Sequence, residues 1–268
     1  MHSLETTFMN KKHAQQHHSK AHTDDGLHIY GKHVVDRALE QYPSAILRVW
    51  LDPKFSDDRL VAKVRRVGCT VSALEERRLP GEVSCDSNHQ GIIAMLDQKS
   101  MVQPYATYVR SVSIAKESCF LVLSEIQDPQ NVGAMIRSAA AFGVQAVLLP
   151  KHRQAPLNGT VAKVSAGMMF AVPLVSVGNL NTTLADLQQR GVKTYGLAGG
   201  EGDNIYETDV TGACAFVVGN EATGLRQQTR KMCDSLLQIP IHPRCESLNA
   251  SAAVTASLAI RGQQLTNR

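Results

Sequence analysis

The chain has 268 residues, 43% hydrophobic and 19% charged, with a net charge of +4 and a pI near 8.7. That length suits two domains and that composition suits packed cores, which argues against a fibrous or wholly disordered protein. The mild positive charge permits a nucleic-acid partner without requiring one, and with only 5% aromatic residues a surface of stacked rings is not expected.

Residues 1–26 hold five of the ten histidines and few core formers, so a disordered His-rich extension is expected there. This stretch has no continuous apolar run of the kind a secretory signal needs. Residues 27–97 change character. "GKHVVDRALEQ" predicts a helix, "AILRVWL" a strand, "SDDRLVAKVRRVG" a second helix and "GIIAML" a buried strand. The result is a small α/β domain with ten basic and ten acidic residues. Nucleic-acid binding by this domain would need a local patch, such as Lys63, Arg65 and Arg66 with Arg77 and Arg78, although such clusters are more often solvated faces. Residues 98–117 lack clear periodicity, contain a proline and read as a linker.

From residue 118 onward, short apolar runs alternate with helical stretches. The strands are "FLVLS", "QAVLLP", "AVPLVSV", "VKTYGLA", "CAFVVGN" and "SLLQIPI". Helices fall near 132–142, 158–168, 180–190 and 224–233, with a last one from Asn249. This alternation predicts an α/β domain over 118–268 with a mainly parallel sheet and flanking helices. Six cysteines with no C-x-x-C pair and no zinc-finger spacing predict reduced thiols, a cytoplasmic location and no metal site. The longest apolar run, near Leu248 to Ile260, is too short and too polar to cross a membrane.

In parallel sheets, ligands gather where loops leave the carboxyl ends of strands. Three such exits stand out: "SEIQDPQNVGAMIR", "VVGNEATGL" and "IPIHPRCESLNASAA". In the first, Asn131 is a candidate helix cap and Gly143 a candidate stop. Arg137 is the lone charge of a small-residue helix. It shares a face with Gly133, Ala140 and Ala141, which leave room for another body, and its guanidinium suits a phosphate. The dinucleotide and P-loop glycine patterns, HExxH and G-x-S-x-G are all absent, which weakens dehydrogenase, ATPase, metalloprotease and hydrolase readings.

The three segments resemble the three ordered motifs of the SpoU, or TrmH, family of RNA ribose 2′-O-methyltransferases. The likeness spans residues 120–262. Residues 27–97, through "IYGKHVVDRALE" and "HQGIIAML", are similar to the small RNA-binding domain that precedes the catalytic domain in the family's 23S rRNA guanosine enzymes. The resemblance implies a C-terminal trefoil knot, S-adenosylmethionine (SAM) as methyl donor, and a homodimer with both subunits at each site. It implies catalytic roles for Asn131, Arg137, Glu221, Ser247 and Asn249. It further implies that Leu197, Gly219, Ile239 and Leu248 form the cofactor pocket. The expected function is 2′-O-methylation of RNA, most plainly of a guanosine in 23S rRNA. A tRNA, another rRNA position, or a silent RNA-binding assembly factor are the alternatives. An arginine is a poor base, since its pKa exceeds about 12. Arg137 is therefore expected to bind the adjacent phosphate and orient the hydroxyl.

Overall fold

The computed structural model describes residues 26–75, 78–81, 83–84 and 86–267. The expected His-rich extension, apart from Gly26, and Arg77 of the basic patch lie outside the described residues. The chain opens with β1 (Leu27–Tyr30), α1 (Lys32–Gln41), β2 (Ile46–Leu51), α2 (Asp58–Val67), β3 (Thr70–Ala73) and β4 (Ile92–Leu96). The strands pair in the order β1-β4-β2-β3. Strand β4 runs antiparallel to β1 and β2, and β3 runs parallel to β2. Helix α1 buries Val34, Val35, Ala38 and Leu39, and α2 buries Leu60 and Val64, each a stripe at helical spacing. Lys63 lies between Asp36 and Glu40 of α1, which draw its ammonium into ion pairs and raise its pKa, so it joins two helices and is not free for nucleic acid.

Residues 98–117, expected as a linker, are built into the second unit. They form β5 (Val102–Pro104) and α3 (Tyr105–Ser111). Strand β5 pairs in parallel with a strand seventy residues further along the chain, and the Tyr105 hydroxyl donates to Asp186 at 2.6 Å. Tyr108 is buried, and its hydroxyl donates to the Gln145 carbonyl. A three-residue strand ending in proline carries too little local pattern to announce itself; an edge position tolerates the missing N–H.

The remainder follows the predicted alternation: β6 (Cys119–Leu123), α4 (Pro129–Ala141), β7 (Ala146–Pro150), α5 (Gly159–Val164), β8 (Leu174–Val177), α6 (Leu180–Gln189) and β9 (Lys193–Leu197). Then come β10 (Asp203–Asn204), β11 (Cys214–Val218), α7 (Gln227–Met232), β12 (Ser235–Gln238) and α8 (Ala250–Thr266). Eight strands lie in the order β10-β12-β9-β11-β6-β7-β8-β5, and every pairing is parallel. Along β6, Leu121 and Leu123 enter one core with Val132, Met135 and Ile136 of α4 and Val254 and Leu258 of α8. Phe120 and Val122 point the other way, into a second core with Leu184 and Leu187 of α6. Both faces are covered, which is why these strands read as unbroken apolar runs.

Helix α4 begins earlier than expected. Asp128 is its cap, accepting from Gln130 N at 2.8 Å, and Pro129 takes the first helical position. Asn131 is therefore inside the first turn and its side chain is released for other use. Gly143 follows the helix with φ 66°, as expected of a stop. Gly133 is filled by another body: a Cβ there would lie 2.7 Å from Val164 Cβ, so α5 of the same chain occupies the space expected to receive a partner.

Candidate active site

Because the sheet is parallel, the exits of β6, β11 and β12 emerge at one edge, and side-chain hydrogen bonds tie the three together there. Asn131, buried in the first turn of α4, donates from Nδ2 to Glu221 Oε1 at 3.0 Å. Its Oδ1 accepts from Asn249 Nδ2 at 3.0 Å. Asn249 in turn caps α8, its Oδ1 accepting from Ser251 N at 2.8 Å and Ala252 N at 3.3 Å. One chain of contacts, Glu221–Asn131–Asn249, thus joins segments separated by 90 and 118 residues.

Glu221 also accepts from the backbone N–H of Gln127 at 3.4 Å and of Asp128 at 3.3 Å. Partial burial pushes this carboxyl's pKa up. The Asn131 amide and the backbone N–H groups of Glu221, Asp128 and Gln127 outweigh that, leaving it below its ordinary value. Its task in the structure is to hold the β6 exit as an anion acceptor.

The β11 exit is a tight loop. Asn220 N donates to the Gly224 carbonyl, Gly224 N donates back, and Asn220 Oδ1 accepts from Ala222 N and Thr223 N. Gly219 sits under this turn. A Cβ there would lie 2.2 Å from Gly224 C and 2.3 Å from Leu225 N, so the residue must lack a side chain for the loop's own backbone to fold over it. Leu197, at the end of β9, and Ile239, two residues past the Leu237 that pairs with it, are half-buried against the core at the same edge. Ser247 and Leu248 are exposed on the β12 exit, and Ser247 makes no side-chain hydrogen bond among the described residues.

Arg137 stands apart from this network. It is exposed on α4 and makes no hydrogen bond or ion pair among the described residues. Asn131, not Arg137, is the partner of Glu221.

Two residues that the sequence did not single out shape the β6 exit. Glu125 has φ 65°, a left-handed backbone that turns the chain sharply after the strand. Asn220 Nδ2 donates to the Glu125 carbonyl at 2.9 Å, and the Glu125 carboxylate pairs with Arg226 Nε at 2.8 Å. A non-glycine residue in that conformation leaves no signal in a single sequence.

Comparisons with known proteins fit this geometry. Residues 118–259 match the SpoU rRNA Methylase family, and residues 28–102 match a domain described as RNA 2′-O ribose methyltransferase substrate binding. The chain is 36% identical over 251 residues to the 23S rRNA (guanosine-2′-O-)-methyltransferase RlmB of Vibrio cholerae, covering 90% of this chain and 98% of that protein. It is 35% identical to the RlmB of Pseudomonas putida, covering 88% and 97% respectively. Among solved structures, the SpoU methyltransferase AviRb of Streptomyces viridochromogenes in complex with AdoMet superposes with a TM-score of 0.75 at 20% identity, over 89% of this chain and 90% of that one. An AdoMet-bound rRNA methyltransferase of Sinorhizobium meliloti gives 0.71 at 20% identity, over 90% and 88%. The family pattern covers the whole sheet edge where Asn131, Glu221 and Asn249 meet, and this chain belongs to the SpoU rRNA methylase family.

Proposed function

We propose that this protein transfers a methyl group from SAM to the ribose 2′-hydroxyl of a guanosine in 23S rRNA, the reaction for which its RlmB relatives are named. The observation that carries this reading is the Glu221–Asn131–Asn249 contact, which brings the three family segments to one edge of the sheet.

The residues present suit the cofactor. Leu197 and Ile239 are half-buried apolar groups at the strand ends, fit to receive an adenine, and the backbone around Gly219 offers polar groups beside them. SAM, when bound, would supply an electrophilic methyl whose leaving group is a neutral thioether, so no acid is needed for its departure, and the hydroxyl proton passes to solvent water as the new O–C bond forms. The chain's own residues orient the nucleophile. Asn131 and Asn249 fix the β6 and β12 exits relative to each other, and Glu221 fixes the β11 exit to the β6 exit. Arg137 would bind the phosphate next to the target ribose and so orient the hydroxyl toward the methyl donor. Ser247 and Leu248 close over the ligands from the exposed β12 exit.

The enzyme works as a homodimer, each site taking residues from both subunits. The solvent-facing Arg137 supports this, since it has no partner among the described residues of its own chain. A trefoil knot accompanies this arrangement. Support comes from the path after β12, which returns past β9 and β11 to lay α8 against α4 on the far side. A cytoplasmic location suits an rRNA substrate, and no described helix is long and apolar enough to cross a membrane.

The test combines SAM calorimetry with mapping of 2′-O-methyl marks on rRNA and tRNA, with and without the protein. Binding of SAM and loss of one 23S guanosine mark in its absence are the expected results; no heat with SAM would identify a silent RNA-binding factor. Arg137→Ala is expected to abolish transfer, by about 10²-fold or more, while SAM binding and the dimer persist. Normal turnover in that variant would refute its role.

A further inference from the structure

A second feature at the same edge is not explained by the SAM site. Between the two units lies an open cleft of about 1290 Å³. Leu47, Arg48 and Met95 form one wall, from the face of the N-terminal sheet. Lys99, Lys151 and Gln154 are on the opposite side, contributed by the segment before β5 and by the β7 exit. No residue of the β11 or β12 exits lines it, so it is distinct from the proposed cofactor pocket. Its volume exceeds the roughly 300–1,000 Å³ of small-molecule sites, which suits a segment of polymer.

The charge of the cleft points to a polyanion. Arg48, Lys99 and Lys151 are all exposed, and none forms an ion pair among the described residues. The one acidic lining residue, Asp97, is turned into its own backbone, where its carboxylate accepts from Lys99 N at 3.0 Å and Ser100 Oγ at 2.8 Å. The apolar lining from Leu47 and Met95 offers contact for sugars and bases between the phosphate-binding cations.

The cleft also touches the reaction centre mechanically. Gln154 Oε1 accepts from Ile126 N at 3.0 Å, and Ala155 N donates to the Ile126 carbonyl at 2.8 Å. Arg153 of the same loop pairs with Glu125 at 3.8 Å. The β7 exit therefore lies between the cleft and the β6 exit that carries Asn131. The Gln154 amide nitrogen, buried at the cleft wall, has no hydrogen-bond partner among the described residues. Such donors are normally satisfied, by protein, water or ligand.

The geometry points to this cleft as the channel for a single-stranded RNA segment flanking the methylated nucleotide, with Arg48, Lys99 and Lys151 on its phosphates and the β7 exit relaying occupancy to the β6 exit. This rests on the proposed RNA methylation and adds to it where the strand runs.

The test measures anisotropy of a labelled single-stranded RNA oligonucleotide, and methylation of protein-free 23S rRNA, with the full-length protein and its K99A/K151A variant. Both lysines are exposed, so the variant is expected to fold as wild type. Expected are a loss of affinity of about tenfold or more and a log–log salt slope smaller by about 0.7 per lysine removed. KM for RNA should rise with kcat and SAM affinity unchanged. Lys116→Ala, at the opposite edge of the sheet, serves as the control and should bind RNA as wild type does. A double variant that binds within about twofold of wild type, with an unchanged salt slope, overturns the proposal. Affinity is read without turnover, so a wild-type protein that binds RNA through these lysines but does not methylate it would refute the reaction and uphold the cleft.

Discussion

Glu221 shows how a loop carboxylate acts as a structural acceptor. Burial pushes its pKa up, but the Asn131 amide and the backbone N–H groups of Glu221, Asp128 and Gln127 outweigh that and hold it below its ordinary value of 4.5. A group whose pKa is lowered on folding stabilises the fold above its unfolded pKa, and that stability is lost as pH falls through the folded value. Glu221→Gln is therefore expected to have a lower melting temperature than wild type near neutral pH. The gap should shrink as the pH drops below about 4.5. Thermal melts across that range check it; a gap that stays constant would remove Glu221 from the network. At this scale the sequence was partly legible. Asn131, Glu221 and Asn249 were marked by their motifs, but the motifs do not say which touches which. Asn131 looked like a cap because Asn is a good one. Asp128-Pro129 is the stronger start signal, since proline preorganises the first helical position. Glu125 and Asn220 were not marked, because backbone strain and an Asx turn depend on where distant loops lie.

Among the elements, α4 carries the most constraint. It begins at the β6 exit with Asn131, faces α8 through the Ser138–Thr255 hydroxyl pair at 2.7 Å, and meets α5 through Gly133. A glycine inside a helix costs roughly 1 kcal/mol relative to alanine, so Gly133→Ala would ordinarily stabilise. Here the added Cβ would sit 2.7 Å from Val164 Cβ and 3.1 Å from the Val161 carbonyl. A backbone oxygen cannot step aside, so α4 or α5 must shift, and overpacking of this kind costs about 1–3 kcal/mol. The expected outcome is a net loss of about 1 kcal/mol or more in chemical denaturation. A larger fractional loss of methyl transfer should accompany it, because the helix that moves carries both Asn131 and Arg137. An Ala variant more stable than wild type would show the helices to be less tightly packed. Strands β6 to β9, β11 and β12 were legible as short, mainly apolar runs, whereas β10, the dipeptide Asp203–Asn204, carries no apolar pattern to mark it. Strand β1, with four residues, and β5, with three, were not legible either. Pairing with distant strands defines them, and no short window contains that information.

The two units behave as one molecule through a continuous core. Residues of β1, α1 and β4 share a single buried cluster with α4, α5 and β6. At the seam, Tyr42 and Phe170 rings lie 6.1 Å apart, Lys163 Nζ donates to the Asn88 carbonyl at 3.1 Å, and α5 presses on β1. The sequence divides the chain into two domains and a linker but does not show this joint, because the apolar residues that make it are spread over both halves and are individually ordinary core residues. Gly159, the first residue of α5, marks a close approach of the two units. A Cβ there would meet the His28 carbonyl at 2.8 Å and the Tyr30 ring at 2.9 Å. Gly159→Leu cannot be absorbed by a rotamer change, because the obstacle on one side is backbone; the N-terminal sheet must lift away from α5. Scanning calorimetry of wild type should give one cooperative transition. The variant should melt about 2–4 °C or more lower, the shift expected for an overpacking cost of about 1–3 kcal/mol in a chain of this size. As the seam loosens, the transition should broaden or divide into two. RNA affinity should fall with it, since one wall of the cleft moves relative to the other, while SAM affinity should change little, because Leu197, Gly219 and Ile239 all lie on the C-terminal sheet. A variant that melts as one unit at the wild-type temperature would mean that the seam is not load-sharing, and that the relative placement of the two cleft walls is not fixed by α5.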